Sequence, residues 1–228
     1  RRVTMRRIFL WSFALVAPLA LAGCLETGEL GKFDLRGGTI SKGATASTPA
    51  RALRKVSFAG GDGVVVGPRG YCLDGDATKA RSGGGFALIA ACQTLTGGAA
   101  GPDVGPAVMT VTVLPRTLGT KQPSAQELGK ALAPAKVLAT EDGDGLAFVH
   151  LASGGAAFTP TSDPRHWRAA MVINGQLVTL AAYGPKGSAI AGKRGQHLIL
   201  ALAEALRDAS PVKSFAPKPL AKAVPTTE

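Results

Sequence analysis

The sequence predicts an α+β domain built on a mainly antiparallel sheet. Three observations predict it. Two apolar runs of strand length, Arg168 to Ile173 and Gln176 to Tyr183, flank Asn174-Gly175. Asn-Gly supplies the positive φ angles of a type I′ turn, whose twist matches that of two antiparallel strands. Residues Ala107 to Leu114 alternate, with Met109, Val111 and Val113 on one face and Thr110 and Thr112 on the other. That is the period-two pattern of a half-buried strand. Arg194 to Asp208 instead spaces Leu198, Ile199, Leu202, Ala205 and Leu206 at a helical period, with Glu204, Arg207 and Asp208 outside. A closing helix of this kind packs its apolar stripe on a sheet.

The remaining elements follow in chain order. Val64-Val65-Val66 forms a strand before the turn Gly67-Pro68-Arg69-Gly70, and Phe86 to Ala91 forms another that runs into Cys92. Ser124-Ala125-Gln126-Glu127, after Pro123, is a capping-box pattern that opens a helix to about Leu132. Pro134 stops it. Leu146 to Leu151 reads as a strand. The stretch Trp167 to Tyr183, followed by a loop and a helix, resembles the PsbP-like α/β/α sandwich over about Ala107 to Phe215. The resemblance implies a non-enzymatic accessory or binding module of a membrane assembly. It transfers no catalytic residue.

The first 24 residues speak about address. Arg1, Arg2, Arg6 and Arg7 precede an apolar run from Ile8 to Leu21, which ends in Leu21-Ala22-Gly23-Cys24. Basic, then apolar, then small is the order of a secretory signal peptide. Leu21-Ala22-Gly23-Cys24 resembles the lipobox of bacterial lipoprotein precursors at all four positions. The resemblance implies that residues 1–23 are removed and that the Cys24 thiol carries a diacylglycerol, with palmitate among its acyl chains. Several acyl chains anchor a protein stably. Leu25, where an Asp would imply inner-membrane retention, points to the outer membrane, facing the periplasm. Arg6-Arg7-Ile8-Phe9-Leu10 resembles a twin-arginine signal, but a plain basic n-region accounts for it.

Composition is read after this processing. The chain has 228 residues with 46% hydrophobic content, enough for a core, and a net charge of +11. Losing four arginines with the leader leaves 22 basic and 15 acidic residues, or +7. Aromatics make up only 5%, and no aromatic–basic stripe is present, so nucleic acid is not an expected partner. Three cysteines exclude a zinc site with four cysteine ligands. With Cys24 committed to lipid, Cys72 and Cys92 form an even pair in an oxidising compartment and read as a disulfide. The expected organisation is a signal peptide over 1–23, a lipidated tether over 24–50, one α+β domain over 51–209 and a Pro- and Lys-rich tail over 210–228.

No stretch carries a complete catalytic motif. Gly187 to Arg194 nearly matches a phosphate loop, but Arg194 stands where a magnesium-binding hydroxyl is needed. Asp74 and Asp76, and Glu141, Asp142 and Asp144, sit in Asp-Gly turns that do not extend into a calcium loop. His150, His166 and His197 lack zinc-hydrolase spacing. Ser162, Asp163 and His166 are near in sequence, yet Asp163-Pro164 reads as a turn. His166 and Trp167 are expected as a surface pair at a strand start rather than as a ligand contact, and His197 in the first turn of the last helix. No metal or cofactor is expected. Arg51, Arg54 and Lys55 cluster where the tether meets the domain and read either as a contact for an anionic surface (lipid headgroups, lipopolysaccharide phosphate or peptidoglycan) or as a solvated stretch of tether. The expected role is a lipid-anchored, non-catalytic envelope module that binds an envelope protein or such a surface. The alternatives are an envelope hydrolase with a spatially assembled site, or a small-ligand carrier with a closed apolar cavity.

Overall fold

The computed structural model describes residues 51–213. The expected signal peptide, Cys24 and the tether lie outside the described residues, as do residues 214–228.

The described residues form a mostly antiparallel sheet with four helices, the last of them C-terminal. The strands are β1 (Ala52–Leu53), β2 (Lys55–Phe58), β3 (Gly63–Val66), β4 (Tyr71–Asp74), β5 (Lys79–Arg81), β6 (Gly84–Ala91), β7 (Val108–Val113), β8 (Val137–Gly143), β9 (Leu146–Leu151), β10 (His166–Ile173) and β11 (Gln176–Tyr183). The main sheet has the order β1-β4-β6-β7-β11-β10-β9-β8, with β5 also on β6, while β2 and β3 form a separate ribbon. The helices are α1 (Cys92–Thr96), α2 (Ala125–Ala131), α3 (Gly155–Phe158) and α4 (Lys193–Ala209).

Local chemistry explains the best-formed pieces. In the β10–β11 hairpin Ile173 faces Gln176, and Asn174 and Gly175 take φ of 49° and 74°. Both values lie where Asn and Gly are best tolerated. At α2, the Ser124 hydroxyl accepts from the Glu127 amide at 3.2 Å, and the Glu127 carboxylate accepts from the Ser124 amide at 2.8 Å. Two amides at the helix start are thereby satisfied by one reciprocal pair.

The core lies between one sheet face and α4. Met109, Val111 and Val113 of β7 join Ala169 and Met171 of β10, Val178 and Leu180 of β11, and Ile199, Leu202 and Leu206 of α4. The alternation seen in β7 therefore points its apolar set at the helix. Its opposite face is more buried than a half-buried strand implies, since Thr110 is only 7% exposed. The cause is position, because β7 is paired on both sides, by β6 and β11.

The helix end is pinned. The Ser210 hydroxyl accepts from the Val64 amide at 3.0 Å. Beyond it, Asn174 Nδ2 donates to Pro211 O at 2.7 Å and to Asp62 O at 2.6 Å, and the Lys213 amide donates to Asn174 Oδ1 at 3.2 Å. Lys213 and Arg116 both pair with the Asp62 carboxylate. Residues 210–213, expected to open the tail, are held against the hairpin turn instead. Asn174 serves both as a turn former and as the clasp for this segment.

Candidate functional site

A cleft of about 320 Å³ opens beside the start of α4. Tyr71, from the first position of β4, forms one wall with Val104 and Gly105. Ile190 comes from a short 3₁₀ turn over Ala189–Ala191, and Arg194, His197 and Leu198 come from α4. These three helix positions are spaced i, i+3 and i+4, so they share one face. The Tyr71 hydroxyl donates to Gly105 O at 2.8 Å, which fixes the loop against the strand. Burial pushes that hydroxyl above its usual pKa, with the nearby Arg194 charge opposing. Among the described residues Arg194 enters no ion pair. The cleft thus joins an apolar lining to one exposed guanidinium. It is open to solvent.

A second cluster occupies the end of the sheet around β10. His166 and Trp167 are not a surface pair: they are 2% and 6% exposed. The reason is that β10 lies inside the sheet, between β9 and β11. Trp167 stacks on His150 with ring centres 4.4 Å apart, and its indole N–H donates to Gly192 O at 2.7 Å. His150 Nε2 donates to Ala191 O at 2.8 Å. Neighbouring strand residues point to opposite faces. His166 accordingly stacks on Tyr183, which also stacks on Phe158 from α3.

These contacts decide how the expected hydrolase candidates are arranged. Pro164 O accepts from His166 Nδ1 at 3.4 Å, and His166 Nε2 accepts from Arg168 Nε at 3.3 Å. Both ring nitrogens are engaged, as a neutral imidazole allows. The Ser162 hydroxyl is bonded to the Thr159 hydroxyl at 2.8 Å. The Asp163 carboxylate accepts from the Arg165 side chain and amide and from the Gly187 amide. The Arg165 contact, helped by these amides, holds Asp163 down to about 2. The three residues build the turn that leads into β10.

Burial, with the Arg168 charge beside it, lowers His166 to about 4 from an ordinary 6.5. In the folded protein the ring resists a proton that the unfolded chain takes up. Stability is therefore complete above about pH 6.5 and falls as the pH drops toward 4. His166→Gln is expected to reduce this acid sensitivity. Thermal melts followed by circular dichroism at pH 7 and pH 5 should show a smaller fall in Tm for the variant than for the wild type. Equal falls would exclude His166 as the source.

The other candidates resolve into structure. Four amides of the Gly187–Arg194 loop are engaged within the fold: Gly187 donates to Asp163, and Ser188, Ala191 and Gly192 donate to Pro185, Ser188 and Ala189. Asp74 Oδ1 accepts from the Asp76 and Ala77 amides, closing a turn. Asp142 Oδ1 accepts from the Ala125 amide at the start of α2. Asp144 sits at the β8–β9 turn with φ of 48°. Among the described residues no three His, Cys, Asp or Glu side chains converge to hold a metal. His197 lies in the second turn of α4 rather than the first, because the helix begins at Lys193. Arg51, Arg54 and Lys55 are all exposed. Arg54 is the single residue between β1 and β2 and Lys55 opens β2, so both sit on the folded body. Cys72 and Cys92 lie at disulfide distance, with Cα atoms 4.9 Å apart.

The cleft residues Tyr71, Val104, Gly105 and Ile190 escaped the sequence reading. Only the spacing of Arg194, His197 and Leu198 was a local signal. The chain matches no protein-family model and no curated protein.

Proposed function

We propose that the chain is an exported, lipid-anchored cell-envelope lipoprotein whose folded body is a non-catalytic accessory or binding module. The observation that carries this reading is Leu21-Ala22-Gly23-Cys24 at the end of a basic-then-apolar leader. The cysteine pair at disulfide distance supports it, because such bridges persist in oxidising compartments. The binding role is supported by an open cleft with an unpaired guanidinium, and by His166, Ser162 and Asp163 being occupied in structural bonds. The order of hairpin, loop and long helix adds its likeness to the PsbP-like sandwich. Leu25 favours the outer membrane, and Arg51, Arg54 and Lys55 offer cations to anionic lipid or peptidoglycan.

Metabolic labelling tests the anchor. Radiolabelled palmitate is expected to enter the wild-type chain in bacterial cells and not Cys24→Ala. Equal labelling of the two would overturn the lipoprotein reading.

A further inference from the structure

We infer that the cleft beside α4 binds a small carboxylate-bearing molecule with a branched apolar body. The inference rests on the binding-module reading and names the ligand class that the module would take.

The lining divides by chemistry. Val104, Ile190, Leu198 and the Tyr71 ring are apolar surface. Arg194 is the single formal cation among the lining residues, and no acid accompanies it. A guanidinium binds a carboxylate through two parallel N–H donors, and one guanidinium balances one negative charge. A doubly charged phosphate would call for more than this cleft offers. His197, three residues on along the same helix face, also lines the cleft. The Tyr71 hydroxyl is already bonded to Gly105 O, so the apolar wall presents its ring rather than a free donor. The volume lies at the lower end of the range of small-molecule sites, about 300–1,000 Å³. That space admits a branched six-carbon acid and also the carboxyl end of a short peptide.

Gly105 keeps the cleft open. A Cβ built there would lie 3.9 Å from both Arg194 Nη2 and Ile190 Cδ1, ordinary contact distance. A branched side chain at this position would extend into the space that the ligand needs, without a backbone clash.

A free acid and the carboxyl end of a peptide share this chemistry, and the test separates them. The full chain, purified in detergent, is titrated calorimetrically with 4-methylpentanoate, with N-acetyl-alanyl-leucine and with its neutral amide. Saturable binding of at least one carboxylate is expected. Binding should weaken by about tenfold in Arg194→Gln, and likewise for the amide. Gly105→Val should block it while leaving the circular dichroism spectrum unchanged. Tighter binding of the peptide assigns the site to a chain end, and tighter binding of 4-methylpentanoate assigns it to a free acid. No heat from either carboxylate, equal binding of the amide, or full affinity in Arg194→Gln would overturn the inference. Palmitate labelling of Cys24 is read separately, so failure of the ligand and failure of the anchor are distinguishable.

Discussion

Replacing Cys72 and Cys92 together by alanine is expected to lower the unfolding free energy by about 3 kcal/mol. The two residues are 20 apart in sequence. A bridge over that span restricts the unfolded chain, and the entropy removed grows slowly with loop length. The tied segment includes the end of β4, all of β5 and all of β6, and β6 pairs directly with β7 in the interior of the sheet. Cys72 and Cys92 also pack with Ala90 and Leu95 in a small apolar cluster, so the substitution loses sulfur contacts as well. Urea unfolding of the full chain, followed through Trp167 fluorescence, is the measurement. A slope of about 2 kcal/mol per molar converts the loss into a midpoint lower by about 1.5 M. Reduced wild type should approach the variant. A midpoint unchanged by the double substitution would show that the pair contributes nothing to stability.

Leu202→Ala is expected to cost about 2–5 kcal/mol. Leu202 is fully buried, in the row of α4 that contains Ile199 and Leu206 and faces the sheet. Truncation removes transfer energy and leaves a cavity that β strands on one side and a helix on the other cannot easily fill. Leu200 makes the control, since it lies on the same helix and is 37% exposed. Leu200→Ala should change stability by no more than about 0.5 kcal/mol. Equal effects in urea unfolding would mean that α4 does not pack as described.

The two leucines also show what was legible in the sequence. The helical period separates them, because position on a regular helix is a local property. The same holds for the Asn174-Gly175 turn, the Ser124–Glu127 capping box and β9, each defined by neighbours within a few residues. Other elements depend on partners far along the chain. β8, with the sequence Val137 to Gly143, shows no clean alternation because every residue in it is exposed. β1 and β2 are short, with two and four residues and no run of buried positions, and β4 is held by β1 and β6. His166 and Trp167 are buried because strands bracket them on both sides, which no local pattern records. The cleft is harder still. Its walls come from residues 71, 104–105 and 190–198, so it exists only once the sheet, the loop and α4 have met.

The exposed strand β8 has one more consequence. It is the outer strand of the sheet, pairing with β9, and its free edge is a template on which another chain can add. The strand answers this with a bulge between Val137 and Ala139 and with Glu141 and Asp142 along its second half. The bulge breaks the regular ladder, and the two carboxylates are held within the molecule, Glu141 by Gln196 and Asp142 by the Ala125 amide. The edge that closes the sheet is thus the one least suited to lengthening it.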